Sequence, residues 1–297
     1  MTPISDSSPS VVSAVASLRE RLREHQRQGR TIGFVPTMGA LHAGHRQLME
    51  TARDECDVLV VSIFVNPLQF DRPDDLARYP RTFETDRALC ESAGVDIIFA
   101  PTVDELYPEE QKTFVDVPDL TGNLCGAFRP GHFRGVATVV LKLFGIVQPD
   151  RAYFGQKDAQ QLAVIVRMVR DLNVPVTIVP IPTVREPDGL ALSSRNKHLS
   201  TDERQIAPAI YRALSLAGAQ IAAGERSPAT LRENALLLLQ QYPELRVEYL
   251  ELVHPETLQP VVEITGRVLI AIAAWIGSTR LIDNILVASG NTPEATG

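Results

Sequence analysis

Apolar and polar stretches alternate along residues 31–180. An apolar run over residues 31–36 ends at Pro36, and after a glycine-containing loop residues 44–55 are typical of a helix. Residues 57–65 are a nearly unbroken β-branched run, as expected of a parallel strand buried on both faces. These segments together predict a βαβ unit.

The alternation continues to residue 180. The pattern predicts helices over residues 83–93, 135–147 and 158–172, and strands over residues 95–100, 151–154 and 174–180. Such alternation is typical of an open parallel α/β sheet with right-handed crossovers. We therefore predict a parallel-sheet domain over residues 1–184, in which residues 1–10 form a disordered polar tail.

The pattern changes after residue 185. Ser200 and Glu203 have the spacing of a capping box and predict the start of one long helix rich in Ala and Leu, and Ser227-Pro228 predicts the start of another. Strand-like stretches follow over residues 247–253, 267–275 and 279–287. We therefore predict a smaller α+β domain over residues 185–297.

Composition narrows the range of functions. A chain of 297 residues with 44% hydrophobic and 22% charged residues is typical of a globular protein with a sizeable core. The net charge of -7 offers no basic face, so nucleic acid is not an expected partner. The apolar runs are too short to span a bilayer, and the N-terminus lacks the pattern of a signal peptide. Three cysteines without a C-x-x-C pair suit a reducing cytoplasm.

The segment His42-Ala43-Gly44-His45 stands where the first strand passes into its helix. Imidazoles three residues apart share a face at the helix N-terminus, where N–H groups and the helix dipole attract phosphate. Imidazoles can donate hydrogen bonds to charge that develops on an α-phosphate. The tetrapeptide alone also fits a surface histidine and a capping histidine, but its place in a βαβ unit favours a nucleotide site. The chain has neither a Walker A sequence nor G-x-G-x-x-G, which disfavours a P-loop NTPase and a dinucleotide-binding dehydrogenase.

Further polar positions are suited to phosphate. Lys157 is a flexible point charge at the start of a predicted helix, and Asp158 could cap that helix or bind a ribose hydroxyl. Ser193-Ser194-Arg195 offers two hydroxyls and a guanidinium that could hold a triphosphate. Each of these groups alone also fits an ordinary surface position.

Five segments occur in the order and approximate spacing of one known family, and together they make the chain resemble the pantothenate synthetases, or pantoate-β-alanine ligases. The matching segments are FVPTMGALHAGH (residues 34–45), FVNPLQF (64–70), RPGHFRGV (129–136), GQKDAQQ (155–161) and DGLALSSRN (188–196).

The resemblance implies a Rossmann-like nucleotidyltransferase fold and an ATP-dependent acid-amine ligase. ATP and (R)-pantoate would give pantoyl adenylate and pyrophosphate, after which β-alanine would attack the acyl carbon to form pantothenate, a coenzyme A precursor, and release AMP. ATP is expected as its magnesium complex, and no protein residue is assigned as a metal ligand, although Asp86 is a candidate contributor. A cytoplasmic homodimer is also implied.

The resemblance further implies the roles of individual residues. The catalytic group would contain His45, as proton donor or phosphate stabiliser, with His42, Lys157, Ser193, Ser194 and Arg195. Pantoate would bind Gln69 and Gln161, whose neutral amides suit a hydroxy acid, and β-alanine would also contact Gln69. His132 is expected to be a structural histidine near the site. The expected ATP-binding residues are Met38, Gly39, Ala40, Leu41, His42, Ala43, Gly44, His45, Gly155, Gln156, Lys157, Asp158, Val184, Leu192, Ser193, Ser194 and Arg195.

Two positions depart from the family's usual pattern, and alternatives stay open. Gln156 stands where a Glu is usual and Ala159 where an aromatic residue is common, which leaves the nucleotide affinity undetermined. The main alternative is another H-x-G-H adenylyl- or nucleotidyltransferase with a phosphorylated acceptor, which the neutral Gln69 and Gln161 disfavour. An aminoacyl-tRNA synthetase is disfavoured by the net acidity. A non-catalytic nucleotide-binding module would not need so many phosphate-directed groups.

Overall fold

The structure is a computed structural model that describes residues 8–71 and 73–289. The chain divides into two compact units. The first unit extends to Pro118 and also contains Arg129–Gln156 and Val164–Pro182, and the second contains Asp119–Phe128, Lys157–Ala163 and the residues from Thr183 onward. The predicted folding domains, residues 1–184 and 185–297, stay a prediction.

The strands and helices follow one another along the chain with short 3₁₀ turns at Pro67–Gln69, Gln156–Asp158 and Ser194–His198. The strands are β1 Ser10–Val12, β2 Ile32–Thr37, β3 Val58–Ile63, β4 Ile97–Phe99, β5 Arg151–Gly155, β6 Thr177–Ile181, β7 Leu245–Val253, β8 Arg267–Ile276 and β9 Thr279–Ala288. The helices are α1 Val15–Arg27, α2 Ala43–Glu55, α3 Pro73–Arg78, α4 Phe83–Ser92, α5 Val103–Leu106, α6 Pro118–Thr121, α7 Leu124–Phe128, α8 His132–Val147, α9 Ala159–Asp171, α10 Thr201–Ile206, α11 Ala209–Ala222 and α12 Pro228–Leu239. In the described part of the chain, no helix has the length and apolarity needed to cross a bilayer.

The first unit is built on a parallel sheet with the strand order β1-β4-β3-β2-β5-β6. The β-branched run of β3 is buried along nearly its whole length, as the sequence predicts for a strand covered on both faces. The predicted α/β fold with a parallel sheet is confirmed. Because β2 and β3 are parallel neighbours, the loops that follow them begin at the same edge of the sheet.

Both faces of this sheet are covered by helices. Successive side chains of a strand point to opposite faces, so Tyr153 and Phe154 of β5 pack against helices on opposite faces of the sheet. Tyr153 belongs to the apolar cluster that contains Met49 of α2. Phe154 instead lies 6.4 Å, between ring centroids, from Phe144 of α8, which also contacts Phe34 of β2 at 6.4 Å.

The second unit contains an antiparallel sheet with the order β7-β8-β9, which confirms the predicted α+β character of this region. Its core joins fully buried alanines of α11, such as Ala213 and Ala217, to Ile270 and Ile272 of β8. Small side chains on the helix allow its backbone to approach the sheet closely. Ser200 and Glu203 form the predicted capping box at the start of α10.

The other predicted elements agree with the observed ones within three residues at either end, but several features differ. The short helices α3, α5, α6 and α7 were not predicted. The single long helix predicted after Ser200 is wrong, because it is divided into α10 and α11 at Pro208, which has no N–H group for the helix. Helix α1 was not predicted, since among its residues only Leu18 and Leu22 are buried and the apolar signal is weak. Ser10, placed in the predicted tail, begins β1, while residues 1–7 lie outside the described residues.

Two glycines of α8 should respond to alanine with opposite signs. A Cβ at Gly135 would lie 2.3 Å from the Leu68 carbonyl oxygen, so Gly135→Ala should destabilise the protein by about 1–3 kcal/mol. A Cβ at Gly145 has no neighbour within 4 Å, so Gly145→Ala should stabilise it by about 0.5–1 kcal/mol. Urea denaturation of both variants measures the difference, and equal shifts would contradict the close packing of α8 on Leu68.

Candidate active site

One buried carboxylate holds the loop between β2 and α2. Gly39 and Ala40 have φ values of +83° and +52°, and an alanine enters this left-handed region at a cost of about 1–2 kcal/mol. Asp86 is 1% exposed and accepts the N–H groups of Ala40 at 3.0 Å and Leu41 at 2.8 Å. A Cβ at position 39 would lie 3.0 Å from Asp86 Oδ2, which explains the glycine there. Asp86 therefore holds the backbone of the predicted nucleotide loop.

His42 and His45 together cap the N-terminus of α2. His42 is the N-cap residue, and its Nδ1 accepts the N–H of Gly44 at 3.1 Å. Nδ1 of His45 accepts the N–H of His42 at 3.3 Å, so the pair forms a capping box made of two imidazoles. The ring centroids are 4.2 Å apart. A Cβ at position 44 would lie 2.9 Å from His42 Cε1, so only glycine leaves room for this ring.

The two caps decide which nitrogen of each imidazole carries the proton. A ring nitrogen that accepts a hydrogen bond holds no proton, so each neutral ring has its N–H at Nε2. Backbone N–H groups of Gly44 and His42 thereby select one tautomer for both rings. The positive end of the α2 dipole lies at the same place and favours a negative charge. The geometry is suited to donating hydrogen bonds to an anion.

Gln69 lies beside this loop, in the 3₁₀ turn Pro67–Gln69 that follows β3, and is 7% exposed. Its Nε2 donates to Met38 Sδ at 3.0 Å, and its Oε1 accepts Asn66 Nδ2 at 3.1 Å. Asn66 is itself 1% exposed. The structure therefore brings together two predicted site segments, the loop 38–45 and Gln69, and holds the Gln69 amide in one orientation.

His132, the first residue of α8, and Arg129, which precedes that helix, support the backbone of Gln69. His132 Nδ1 lies 2.7 Å from the Gln69 carbonyl oxygen, to which Arg129 Nη2 also donates at 3.4 Å. Arg129 Nε in turn lies 3.6 Å from Asp71 Oδ1. These contacts agree with the structural role predicted for His132.

In the second unit, Lys157 and Asp158 lie in the turn that precedes α9, and Asp158 is exposed. The carbonyl oxygen of Lys157 accepts Asn284 Nδ2 of β9 at 2.8 Å. Gly155 ends β5, and Gln156 follows it as the last residue of that segment of the first unit. The backbone that carries the Lys157 ammonium is therefore anchored by a residue in the middle of β9.

The adjacent glutamines at the start of α9 have different surroundings. Gln160 is 6% exposed, and its Nε2 donates to the carbonyl oxygens of Leu120 at 2.9 Å and Asn123 at 2.8 Å. Gln161, the predicted pantoate ligand, is only partly buried. Gln160 therefore attaches α9 to the segment 119–128, whereas the side chain of Gln161 stays partly accessible.

Residues 184–196 form a hairpin that leads into a helical turn. The N–H of Leu192 donates to the Val184 carbonyl at 2.9 Å, and Arg185 pairs with Ala191 as an antiparallel bridge. Ser193 Oγ accepts the N–H of Arg195 at 3.2 Å and so caps the 3₁₀ turn Ser194–His198. The predicted phosphate-binding segment therefore has a fixed backbone.

Arg204 of α10 holds the tip of this hairpin through two ion pairs. Its Nη2 lies 2.6 Å from Glu186 Oε2, and its Nη1 lies 2.7 Å from Asp188 Oδ2. The hydrogen bond from Arg204 lowers the pKa of Asp188, and the bonds to Asp188 and Glu186 raise the pKa of Arg204. The carboxylate of Asp188 therefore stays ionised at neutral pH, and the ion pair persists.

Lys157 and the hairpin border one pocket within the second unit, so two of the predicted phosphate-binding positions, Lys157 and Ser193, lie together. The residues that line this pocket are Lys157, Leu190, Ala191, Ser193, Asn196, Ile210, Leu281, Ile282 and Asp283.

Several supporting contacts were not identified from the sequence. Asn66 and Gln160 lie inside segments that match the family, and this match could have pointed to both residues. The sequence does not indicate that Asp86 supports the loop, because Ala40 and Leu41, whose N–H groups Asp86 accepts, are 46 and 45 positions away from it. A contact of that range follows from the fold and not from a local pattern.

Comparison with known proteins extends the resemblance over most of the chain. A family model described as pantoate-beta-alanine ligase matches residues 10–286. The pantothenate synthetase of Moorella thermoacetica is 54% identical over 277 residues, which cover 93% of this chain and 98% of that protein.

Solved structures give the same result. The crystal structure of pantothenate synthetase from Thermus thermophilus has a TM-score of 0.88 and 51% identity, covering 93% of this chain and 98% of that one. The pantoate-beta-alanine ligase of Francisella tularensis, complexed with beta-gamma ATP and beta-alanine, has a TM-score of 0.77 and 35% identity over 94% of this chain and 97% of its own. The resemblance predicted from the sequence is confirmed, and the chain belongs to the pantoate-β-alanine ligase family of enzymes.

Proposed function

We propose that this chain condenses (R)-pantoate with β-alanine to form pantothenate through a pantoyl adenylate, with release of pyrophosphate and then AMP. Family membership and the Francisella complex support the substrates. The observation that carries the mechanism is the pair of imidazoles that cap the N-terminus of α2 through Nδ1. This leaves Nε2 of each neutral ring to carry the N–H. ATP enters as its magnesium complex, and magnesium is held mainly by phosphates and water.

Adenylation overcomes the low reactivity of a carboxylate. A pantoate carboxylate oxygen attacks the α-phosphorus of ATP, and the bond from that phosphorus to pyrophosphate breaks. Negative charge grows on the α-phosphate oxygens, where His42 and His45 donate hydrogen bonds. Loss of the magnesium pyrophosphate needs little acid catalysis, so His45 acts here as a phosphate stabiliser that requires no proton transfer.

The remaining phosphate contacts come from cationic and hydroxyl groups. Lys157 and Arg195 neutralise the triphosphate and then the pyrophosphate, while Ser193 and Ser194 donate hydrogen bonds. The backbone near Val184 contacts the adenine. The other residues proposed to bind ATP are Met38, Gly39, Ala40, Leu41, Ala43, Gly44, Gly155, Gln156, Asp158 and Leu192.

The glutamines bind the acid and the amine. Gln69 and Gln161 hold pantoate, and Gln69 also contacts β-alanine. The amide of Gln69 is already oriented by Met38 and Asn66, so little rotamer freedom is lost on binding. The proposed second step is attack of the β-alanine amine on the acyl carbon of the adenylate, which breaks the carbon–oxygen bond to AMP. We also propose that the enzyme acts as a homodimer in the cytoplasm.

Isotope exchange distinguishes this reaction from the alternatives. The enzyme should incorporate labelled pyrophosphate into ATP only when pantoate is present, because adenylate formation is reversible before β-alanine arrives. Addition of β-alanine should then release AMP. Exchange without pantoate would point to another nucleotidyltransferase, and no exchange under any condition would refute the proposal.

His45 can be separated from its structural role as a cap. Glutamine at this third helical position can accept the N–H of His42, as in an ordinary capping box, but has no imidazole. His45→Ala should lose about 1 kcal/mol of stability while His45→Gln keeps most of it. Both variants should lower the rate of adenylation by roughly 10²- to 10³-fold, with a much smaller change in ATP affinity. Urea denaturation, pyrophosphate exchange and ATP titration give the three values.

His25→Ala is the matched control, since His25 lies on α1, away from the loop 38–45 in sequence, and its Nδ1 contacts Arg30. It should leave the exchange rate unchanged. If His45→Gln exchanges as fast as the unaltered enzyme while His45→Ala does not, His45 acts only as a cap.

A further inference from the structure

Two neighbouring residues of β9, Asp283 and Asn284, contact both segments of the second unit that carry proposed phosphate-binding groups. They are 4% and 8% exposed, and neither is among the residues assigned a function above. Successive side chains of a strand point in opposite directions, so one residue can reach the hairpin 184–196 while the other reaches the turn with Lys157.

Asp283 holds the hairpin through Arg185. The guanidinium forms a bidentate pair with the carboxylate, at 2.6 Å from Nη1 to Oδ2 and 2.9 Å from Nη2 to Oδ1. The same guanidinium donates to the carbonyl oxygens of Gly189 at 3.1 Å and Asn284 at 3.2 Å, and it lies 3.9 Å from the ring centroid of Tyr211. Arg185 is thereby fixed on every side, and it directly follows the hairpin residue proposed to contact adenine.

Asn284 holds the turn with Lys157. Its Nδ2 donates to the Lys157 carbonyl oxygen at 2.8 Å, and its own N–H donates to Asp283 Oδ1 at 2.7 Å. One peptide unit of β9 therefore joins the anchor of the hairpin to the anchor of the turn. Lys157, Ser193 and Asp283 also line the same pocket.

We propose that Asp283 and Asn284 are positioning residues for the adenylation step. They fix the distance between the Lys157 turn and the hairpin that carries Ser193-Ser194-Arg195, so that the ammonium and the guanidinium reach the triphosphate together. This inference rests on the proposed function. Small displacements of groups that act on a transition state lower the rate strongly, whereas the overall fold tolerates them.

The same unit contains a matched ion pair for comparison. Arg280 Nε lies 2.9 Å from Glu248 Oε2, and the two side chains are 16% and 11% exposed, against 18% and 4% for Arg185 and Asp283. Glu248 also accepts Trp275 Nε1 at 2.9 Å. None of these contacts reaches the Lys157 turn or the hairpin. Loss of the Glu248 charge therefore perturbs the sheet without altering either phosphate-binding segment.

The test compares Asp283→Asn and Asn284→Ala with Glu248→Gln. Asp283→Asn could unfold the protein, because it breaks the ion pair with Arg185. Asn284→Ala leaves that ion pair intact, so it tests the inference even if Asp283→Asn does not fold. Pantoate-dependent pyrophosphate exchange is measured at saturating ATP and pantoate, together with the KM for ATP and the melting temperature. We expect a roughly 10- to 100-fold lower exchange rate for Asn284→Ala and for Asp283→Asn, and a change within about twofold for Glu248→Gln.

Four results would overturn the inference. A folded Asn284→Ala variant that exchanges at the unaltered rate would show that Lys157 does not depend on this anchor. If Glu248→Gln lowers the exchange rate by the same factor, in proportion to its lower melting temperature, the loss of rate in all variants would be explained by lower stability. Absence of exchange in the unaltered enzyme would refute the proposed function itself and the inference with it, whereas normal exchange in all variants would refute the inference alone.

Discussion

The N–H groups of Ala40 and Leu41 set the constraint on which the first unit depends. They lie inside a tight loop between a buried strand and a helix, and a buried N–H without a partner costs about 1–3 kcal/mol. Asp86 supplies both acceptors and also offsets the left-handed conformation of Ala40. With the loop held in this way, His42 becomes the N-cap of α2 and His45 completes the cap. The position of both imidazoles thus follows from a carboxylate whose two oxygens accept backbone N–H groups of the loop.

The second unit uses a buried carboxylate for the same purpose. Asp283 holds the hairpin through Arg185, and Asn284 holds the backbone of Lys157. In each unit the backbone that carries proposed substrate-binding groups is fixed by polar residues that are nearly inaccessible to solvent. Such support reduces the freedom that a cationic or hydroxyl group would otherwise lose when phosphate binds.

Most of the fold could be predicted from local pattern, and much of the support of the site could not. The β-branched run of β3 and the capping box at Ser200 each involve only a few consecutive residues, so both can be recognised in the sequence. Helix α1 buries only Leu18 and Leu22 and is otherwise strongly polar, so few apolar positions mark it in the sequence. The Arg185–Asp283 pair joins residues 98 positions apart, and a separation of that size is set by the packing of strands and not by any local spacing.

The central claim is that pantoate attacks the α-phosphorus of ATP, and the path of the carboxylate oxygens tests it most directly. Pantoate labelled with ¹⁸O in both carboxylate oxygens would be converted with ATP and β-alanine, and the products analysed by mass spectrometry. The account predicts one labelled oxygen in AMP, the other in the amide carbonyl of pantothenate, and none in pyrophosphate. Label in inorganic phosphate with formation of ADP, or AMP without label, would contradict it.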